Sequence, residues 1–234
     1  MRLSFVYSYY ENPFTLNRLI SEWKKYDEKI LKDIEFIITD DCSRNFPLKN
    51  FNKQESLNVR FFEIQQKVNW NWLACRNIGA YYAKGKWILV TDIDHFISKE
   101  DIEIIYRRIK FLNGDYVYMM ERRNLQNKRM NTHGNSFLMT REMYWKIGGY
   151  DETLSGKYSG TTMAYKKRVL RDTKGFQLIN VPLHWISGDD VADSQTQLSR
   201  EENSRDLEFC KKVLNDKNRT VRVLTFPYEE IKCG

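Results

Sequence analysis

Apolar residues fall along the chain in two alternating rhythms. Short runs rich in β-branched and aromatic residues at 3–7, 34–39, 59–64, 87–91 and 115–120 predict strands buried on both faces. Between them, apolar positions recur every three or four residues. Phe14, Leu16, Leu19, Ile20 and Trp23 make one such face, opened by Asn12 and Pro13, which suit a helix cap and a first turn. A second helix is predicted over 72–83, closed by Gly85. A third, over 102–112, is capped by Ser98 and followed by Gly114. This βαβ rhythm predicts an α/β fold with a mostly parallel sheet and helices on both faces.

The second half of the chain is less regular. Residues 124–134 are polar and read as a loop. A strand at 136–140 precedes a short helix at 142–147, which Gly148 and Gly149 stop. A helix at 161–171, a strand at 176–181 leading to His184 and Trp185, a helix at 199–214 and a strand at 220–226 complete the reading. No internal repeat or low-complexity linker divides the chain. One domain over 1–234 is expected, with residues 121–234 elaborating the sheet begun by residues 1–120.

Composition narrows the class. Hydrophobic residues make up 41% of the chain and charged residues 29%, which suits a packed core under a water-facing surface. The net charge of +7 suits anionic partners such as nucleotide diphosphates, nucleic acid or acidic membrane surfaces, although ordinary surface lysine explains it equally well. The four cysteines form no CxxC pair and no metal-finger spacing, so reduced thiols in a cytoplasmic protein are expected. The chain shows no basic-then-apolar leader and no apolar run near the ~20 residues of a membrane helix.

Two acidic clusters, Asp40-Asp41 and Asp92-Ile93-Asp94, lie just past predicted strands. Ligands of open α/β sheets sit beyond the carboxyl ends of strands. Two carboxylates two residues apart can converge on a hard cation such as Mg²⁺ or Mn²⁺, which would offset the charge of a diphosphate. Asp40 and Asp41 could accept hydrogen bonds from a nucleobase or ribose, or simply cap a turn with Ser43. Arg76 could reach a phosphate or fix a carboxylate. His95, beside the acids, reads as a hydrogen-bonded structural residue. Trp70 and Trp72 could stack on a sugar or base, with core packing the expected role for at least one of them.

The ordered set of motifs carries a resemblance. Tyr7-Ser8-Tyr9-Tyr10-Glu11-Asn12, Ile37-Ile38-Thr39-Asp40-Asp41-Cys42-Ser43, Ala74-Cys75-Arg76-Asn77-Ile78-Gly79, Val90-Thr91-Asp92-Ile93-Asp94 and Gly148-Gly149-Tyr150-Asp151-Glu152 follow one another at plausible spacing. Together they resemble the nucleotide-sugar glycosyltransferases of family 2, over roughly residues 3–171. The resemblance implies a GT-A fold and transfer of a sugar from a nucleoside-diphosphate sugar, a UDP-sugar first, to a hydroxyl. It implies nucleoside contacts from Ser8, Tyr9, Glu11, Asp41 and Asp40, with Arg76 near the nucleotide. Asp92, Ile93 and Asp94 would reach the ribose and a Mn²⁺ or Mg²⁺ ion, Asp94 most directly. Gly149 and Glu152 would face the donor sugar and acceptor. His184 is a candidate third metal ligand and His133 a candidate acceptor contact.

One part of the pattern is missing. Many family members carry an acidic pair shortly after the Gly-Gly motif, one of them the general base; here residues 156–163 hold threonines instead. Threonine cannot hold and release a proton near neutral pH. Three readings are open: another carboxylate serves, with Asp151 first and then Asp189 or Asp190; configuration is retained, with the leaving phosphate taking the proton; or the chain binds without turnover. The acceptor could be a glycan, a lipid-linked sugar or a protein, and a modified nucleic acid is also compatible. No obligate protein partner is implied. A catalytically inactive nucleotide- or nucleic-acid-binding module is the alternative. A sugar nucleotidyltransferase ranks last, because the loop after the first strand lacks glycine and lysine.

Overall fold

The computed structural model describes residues 1–52, 54–157, 160–186, 209, 212–213, 215–216 and 220–232. Three strands, β1 (Leu3–Tyr9), β2 (Ile34–Asp40) and β3 (Val59–Ile64), run parallel with β4 (Trp87–Asp92) in the order β3-β2-β1-β4. The helices α1 (Pro13–Trp23), α2 (Glu28–Leu31), α3 (Trp72–Tyr82) and α4 (Lys99–Arg108) connect and cover these strands. The parallel core is thus the βαβ unit that the apolar rhythm predicts.

Beyond β4 the sheet becomes mixed. After β5 (His95–Phe96) come β6 (Val117–Asn124), β7 (Arg129–Met130), β8 (Phe137–Thr140) and β9 (Phe176–Trp185), with β10 (Tyr228–Ile231) last. β8 runs antiparallel between β4 and β6, β9 parallel to β6, and β5 antiparallel to the end of β9. Helices α5 (Arg141–Lys146) and α6 (Thr161–Asp172) lie between β8 and β9 in the chain. Among the described residues, no helix is long and apolar enough to cross a membrane.

Alternation along β1 feeds two cores. Leu3, Phe5 and Tyr7 face one cluster with Trp23 and Phe36, whose rings stack at 4.0 Å. Val6 faces the other with α3. Burying Trp23 completely contributes on the order of 3 kcal/mol. Gly79 lets α3 press against β1, since a Cβ there would lie 2.4 Å from Val6 Cγ1.

Three elements depart from the reading of the sequence. The polar stretch 124–134 contains β7, paired to β6 through Arg122 and Arg123. β9 continues past 181 to Trp185, bringing His184 and Trp185 into the sheet. The strand expected at 220–226 is absent; the last strand is β10, at Tyr228–Ile231. The backbone of 222–225 is instead bonded to Glu152, and Leu224 has φ 54°, which no strand accommodates. The predicted helix 199–214 lies mostly outside the described residues.

Candidate active site

The carboxyl ends of β1, β2 and β4 lie side by side, with Tyr9 opposite Asp40 and Ser8 opposite Asp92. The loop after β2 folds over this edge. Asp40 holds it by accepting from the amides of Ser43 and Leu48, each at 2.9 Å. Tyr9 donates its hydroxyl to the Phe46 carbonyl at 2.6 Å. Glu11, in the left-handed region at φ 49°, accepts from the amides of Arg44, Asn45 and Phe46. Glu11 and Asp40, both expected at the nucleoside, have their oxygens buried against backbone amides and organise this loop. Burial nevertheless pushes the Asp40 carboxyl up to about 6.

Asp41 differs from its neighbour. Its Oδ2 accepts from the Asn71 amide at 2.8 Å, while its Oδ1 is buried with no hydrogen-bond partner among the described residues. Burial, only partly opposed by the Asn71 amide, pushes this carboxyl up to about 8. A buried acceptor left without a donor is costly unless a ligand supplies one. Ser8, half-buried near the end of β1, lies on the neighbouring strand at the same edge.

Arg76 reaches this edge from α3. It is fully buried, and its guanidinium donates to the Asn135 carbonyl at 2.7 Å, the Tyr150 hydroxyl at 3.0 Å and Asp92 Oδ1 at 2.5 Å. It also lies over the Trp72 ring at 4.5 Å. Arg76 therefore fixes a carboxylate, one of the two roles expected of it. Trp72 belongs to this buried stack, as core packing implied. Asp92 Oδ2 faces His133 Nε2 at 3.4 Å. Burial lowers His133 to about 4, so near neutral pH this contact joins a carboxylate to a neutral imidazole and is no ion pair. The His133 ring stacks on His95 at 4.1 Å.

Asp94 is held from two sides, by His95 Nδ1 at 2.6 Å and Trp185 Nε1 at 2.9 Å. Burial raises this carboxyl, but His95, His133 and Trp185 outweigh it and hold it below the usual range. Ile93, between the two aspartates, packs its side chain into the core. His184, the candidate third metal ligand, takes another partner. Adjacent strand residues point to opposite faces, so with Trp185 turned to Asp94, His184 turns away. Its Nε2 pairs with Asp101 Oδ2 at 2.9 Å at the start of α4. Trp185 is the residue that reading from sequence missed, and the period-2 alternation of β9 was the signal for it.

The Gly-Gly motif is built around Asn77. Its Oδ1 accepts from the Tyr150 amide and the Tyr144 hydroxyl, and its Nδ2 donates to Tyr150 O and Glu152 Oε1. Gly149, at φ 64°, has no room for a side chain, since a Cβ would lie 2.8 Å from Asn77 Oδ1. Gly149 and Glu152 were expected on the acceptor side. Glu152 instead accepts from the amides of Leu224 and Thr225 and the Thr225 hydroxyl, tying the last segment down. Asp151 is 3% exposed and caps the turn at Glu152–Leu154 through the Thr153 amide and hydroxyl. Asp151, the first candidate base, thus has its carboxylate engaged in a buried cap. Thr162 bonds its hydroxyl to Asn135 Oδ1, whose own carbonyl takes Arg76. Asp189 and Asp190 lie outside the described residues.

No group of three or more His, Cys, Asp or Glu side chains among the described residues is placed to hold a metal. A hard cation does not require one. Mg²⁺ takes one or two carboxylates and completes its shell with phosphate and water. Asp94 fits this, since it is an anion, a quarter exposed, with two of its roughly four lone-pair sites taken.

The parallel core, the aspartates at the ends of β2 and β4, and the helices around the sheet make a fold of the GT-A type. Residues 4–173 match the model of glycosyl transferase family 2, and the chain belongs to that family. Similar solved structures include S. aureus TarS 1–349 in complex with UDP-GlcNAc, at TM-score 0.66 and 14% identity over 94% of this chain and 68% of that one. GalNAc-T7 with UDP, GalNAc and Mn²⁺ aligns at TM-score 0.59 and 16% identity over 80% of this chain and 43% of that one. At these identities the likeness is one of fold. In sequence, a cholesterol galactosyltransferase of Borreliella burgdorferi (strain B31) is 28% identical over 116 residues, covering 50% of this chain. The match spans 31% of that protein's length.

Proposed function

We propose that the chain transfers a sugar from a nucleoside-diphosphate sugar, a UDP-sugar, to a hydroxyl acceptor, assisted by Mn²⁺ or Mg²⁺. The observation that carries this is Asp41 Oδ1, a buried acceptor without a partner among the described residues, at the strand edge that also presents Asp92 and Asp94. A base carrying an N–H would satisfy it. The UDP and UDP-GlcNAc in the TarS structures and the Mn²⁺ in GalNAc-T7 support the donor and the cation.

Asp94, with Asp92 beside it, would hold the cation, which when bound offsets the negative charge of the departing diphosphate. Arg76 keeps Asp92 oriented, and Trp185 and His95 keep Asp94 ionised and in place. In the transfer, a bond forms between the acceptor oxygen and the anomeric carbon. The bond from that carbon to the phosphate oxygen breaks, the diphosphate leaves with the electron pair, and the acceptor proton passes to solvent.

The buried position of Asp151 and the threonines opening α6 favour a second reading, binding without turnover. A donor screen separates the two. Nucleotide-sugar cleavage with Mn²⁺, lost with chelator and in Asp94→Ala, is the expected result. Nucleotide binding with no cleavage of any donor, even with acceptors supplied, would establish the second reading. Absence of nucleotide binding would remove both.

A further inference from the structure

The chain's positive charge is not spread over it. Residues 121–174 hold twelve Lys and Arg against five Asp and Glu, a net of +7 that equals the total for the whole chain. The remaining residues, which carry Asp41, Arg76, Asp92 and Asp94, are neutral in sum. There Arg76 is buried and committed to Asp92, Asn135 and Tyr150, and a cation on Asp94 would offset the diphosphate of a donor. The surplus faces something else.

Of the five acids in this segment, Asp172 pairs with Arg171 and Glu142 is exposed, which leaves most of the surplus uncompensated. Asp151 and Glu152 are buried, and Glu121 is shared by Arg123 and Arg129. Several of the cations border the site. Arg122 lies over the Trp185 ring at 5.4 Å, the same indole that bonds Asp94. Its Nε is buried with no hydrogen-bond partner among the described residues. On the other side, Lys166 Nζ would lie 3.6 Å from a Cβ on Gly134, beside the His133 that faces Asp92. Lys128 and Arg129 are exposed on the β6–β7 ribbon, and Lys167 is exposed on α6.

We propose that the acceptor is a nucleic acid, held through its phosphodiester backbone by the rim formed by Arg122, Lys128, Arg129, Lys166 and Lys167. This rests on the transferase reading above and names the acceptor class for the same site. Arg129 shares Glu121 with Arg123, while the exposed ammonium groups and the buried Arg122 Nε are the kind of donors a phosphate backbone takes up. A membrane surface fits less well. The exposed large apolar residues of 121–174 are Leu125, Met163 and Leu170, with no Trp or Phe to anchor in an interface.

The test is fluorescence anisotropy of the full chain with a labelled oligonucleotide of about twenty nucleotides, single-stranded and duplex. With about four phosphate contacts, affinity should fall on the order of a hundredfold between ~50 and ~200 mM salt. The variant Lys128→Ala/Arg129→Ala/Lys166→Ala/Lys167→Ala should bind roughly tenfold more weakly or worse. The variant Lys24→Ala/Lys29→Ala/Lys32→Ala/Lys49→Ala removes equal charge from exposed positions in the other half and should bind as the parent does. Equal losses in the two variants would overturn the proposal, as would no oligonucleotide binding at low salt. Capture by phosphatidylserine vesicles without oligonucleotide binding would replace it with a membrane. UDP titration in parallel keeps the outcomes apart: if UDP binds and the oligonucleotide does not, only the acceptor assignment fails. If the oligonucleotide binds and UDP does not, the transferase reading fails.

Discussion

Arg76 donates to Asp92 Oδ1 at 2.5 Å from a position with no solvent exposure. The same guanidinium bonds the Asn135 carbonyl and the Tyr150 hydroxyl, so α3, β4 and the two loops of the second half meet on one side chain. Arg76→Ala should cost about 3–5 kcal/mol, because it strips buried acceptors and the fork that matches them. A fall in Tm on the order of 10 °C would follow in a thermal melt. Arg76→Lys keeps the charge without the fork, so it should lose less stability while donor cleavage still falls. A variant as active as the parent would show that Asp92 needs no such support.

Trp185 bonds Asp94, so in the proposed reading it would act on the cation only through that carboxylate. Trp185→Phe keeps an aromatic side chain while deleting the Nε1 donor. The Mn²⁺ concentration for half-maximal donor cleavage should rise about 10–100-fold, with the melting curve little changed. An unmoved Mn²⁺ dependence would mean that the indole only packs.

Asp41 gives a pH signature. Its carboxyl is raised to about 8 in the folded chain, from an ordinary value near 4 when unfolded. Between these values the folded state holds a proton that the unfolded state has released. Its contribution to stability is therefore fully present below pH ~4 and is lost as pH rises toward 8. Asp41→Asn should raise Tm, by more at pH 8 than at pH 5, while weakening UDP binding. Each kcal/mol recovered appears as about 2–4 °C. Calorimetry at the two pH values reads this directly, and equal shifts at both would refute the titration.

Glu152 is the fastening of the last described segment. Glu152→Ala leaves the amides of Leu224 and Thr225 and the Asn77 amide group without their acceptor. Each buried loss costs about 1–3 kcal/mol. Hydrogen exchange at Leu224 and Thr225 should accelerate, with UDP affinity unchanged. Weakened UDP binding without faster exchange would return Glu152 to the ligand.

Much of this arrangement is legible in the chain by itself. The runs at 3–7, 34–39, 59–64 and 87–91 and the helical faces between them are local patterns, and the parallel core follows from them. Asp40, Asp41, Asp92 and Asp94 stand after apolar runs in the sequence, so their place at one edge of the sheet could be read before any contact was known. The motif order also points to the family that residues 4–173 match.

Tertiary structure alone decided which carboxylates remain available. Asp40 and Asp41 are adjacent and chemically alike. One is filled by the Ser43 and Leu48 amides, while the other meets only Asn71, thirty residues on. Glu11 is taken by amides 33 to 35 positions away, and Glu152 by amides 72 and 73 away. Trp185 rather than His184 turns to Asp94 because β9 runs on and sets its faces by the register against β5. Hydrophobic periodicity is a property of neighbours along the chain, whereas a lone pair is used up by whatever donor the fold brings to it.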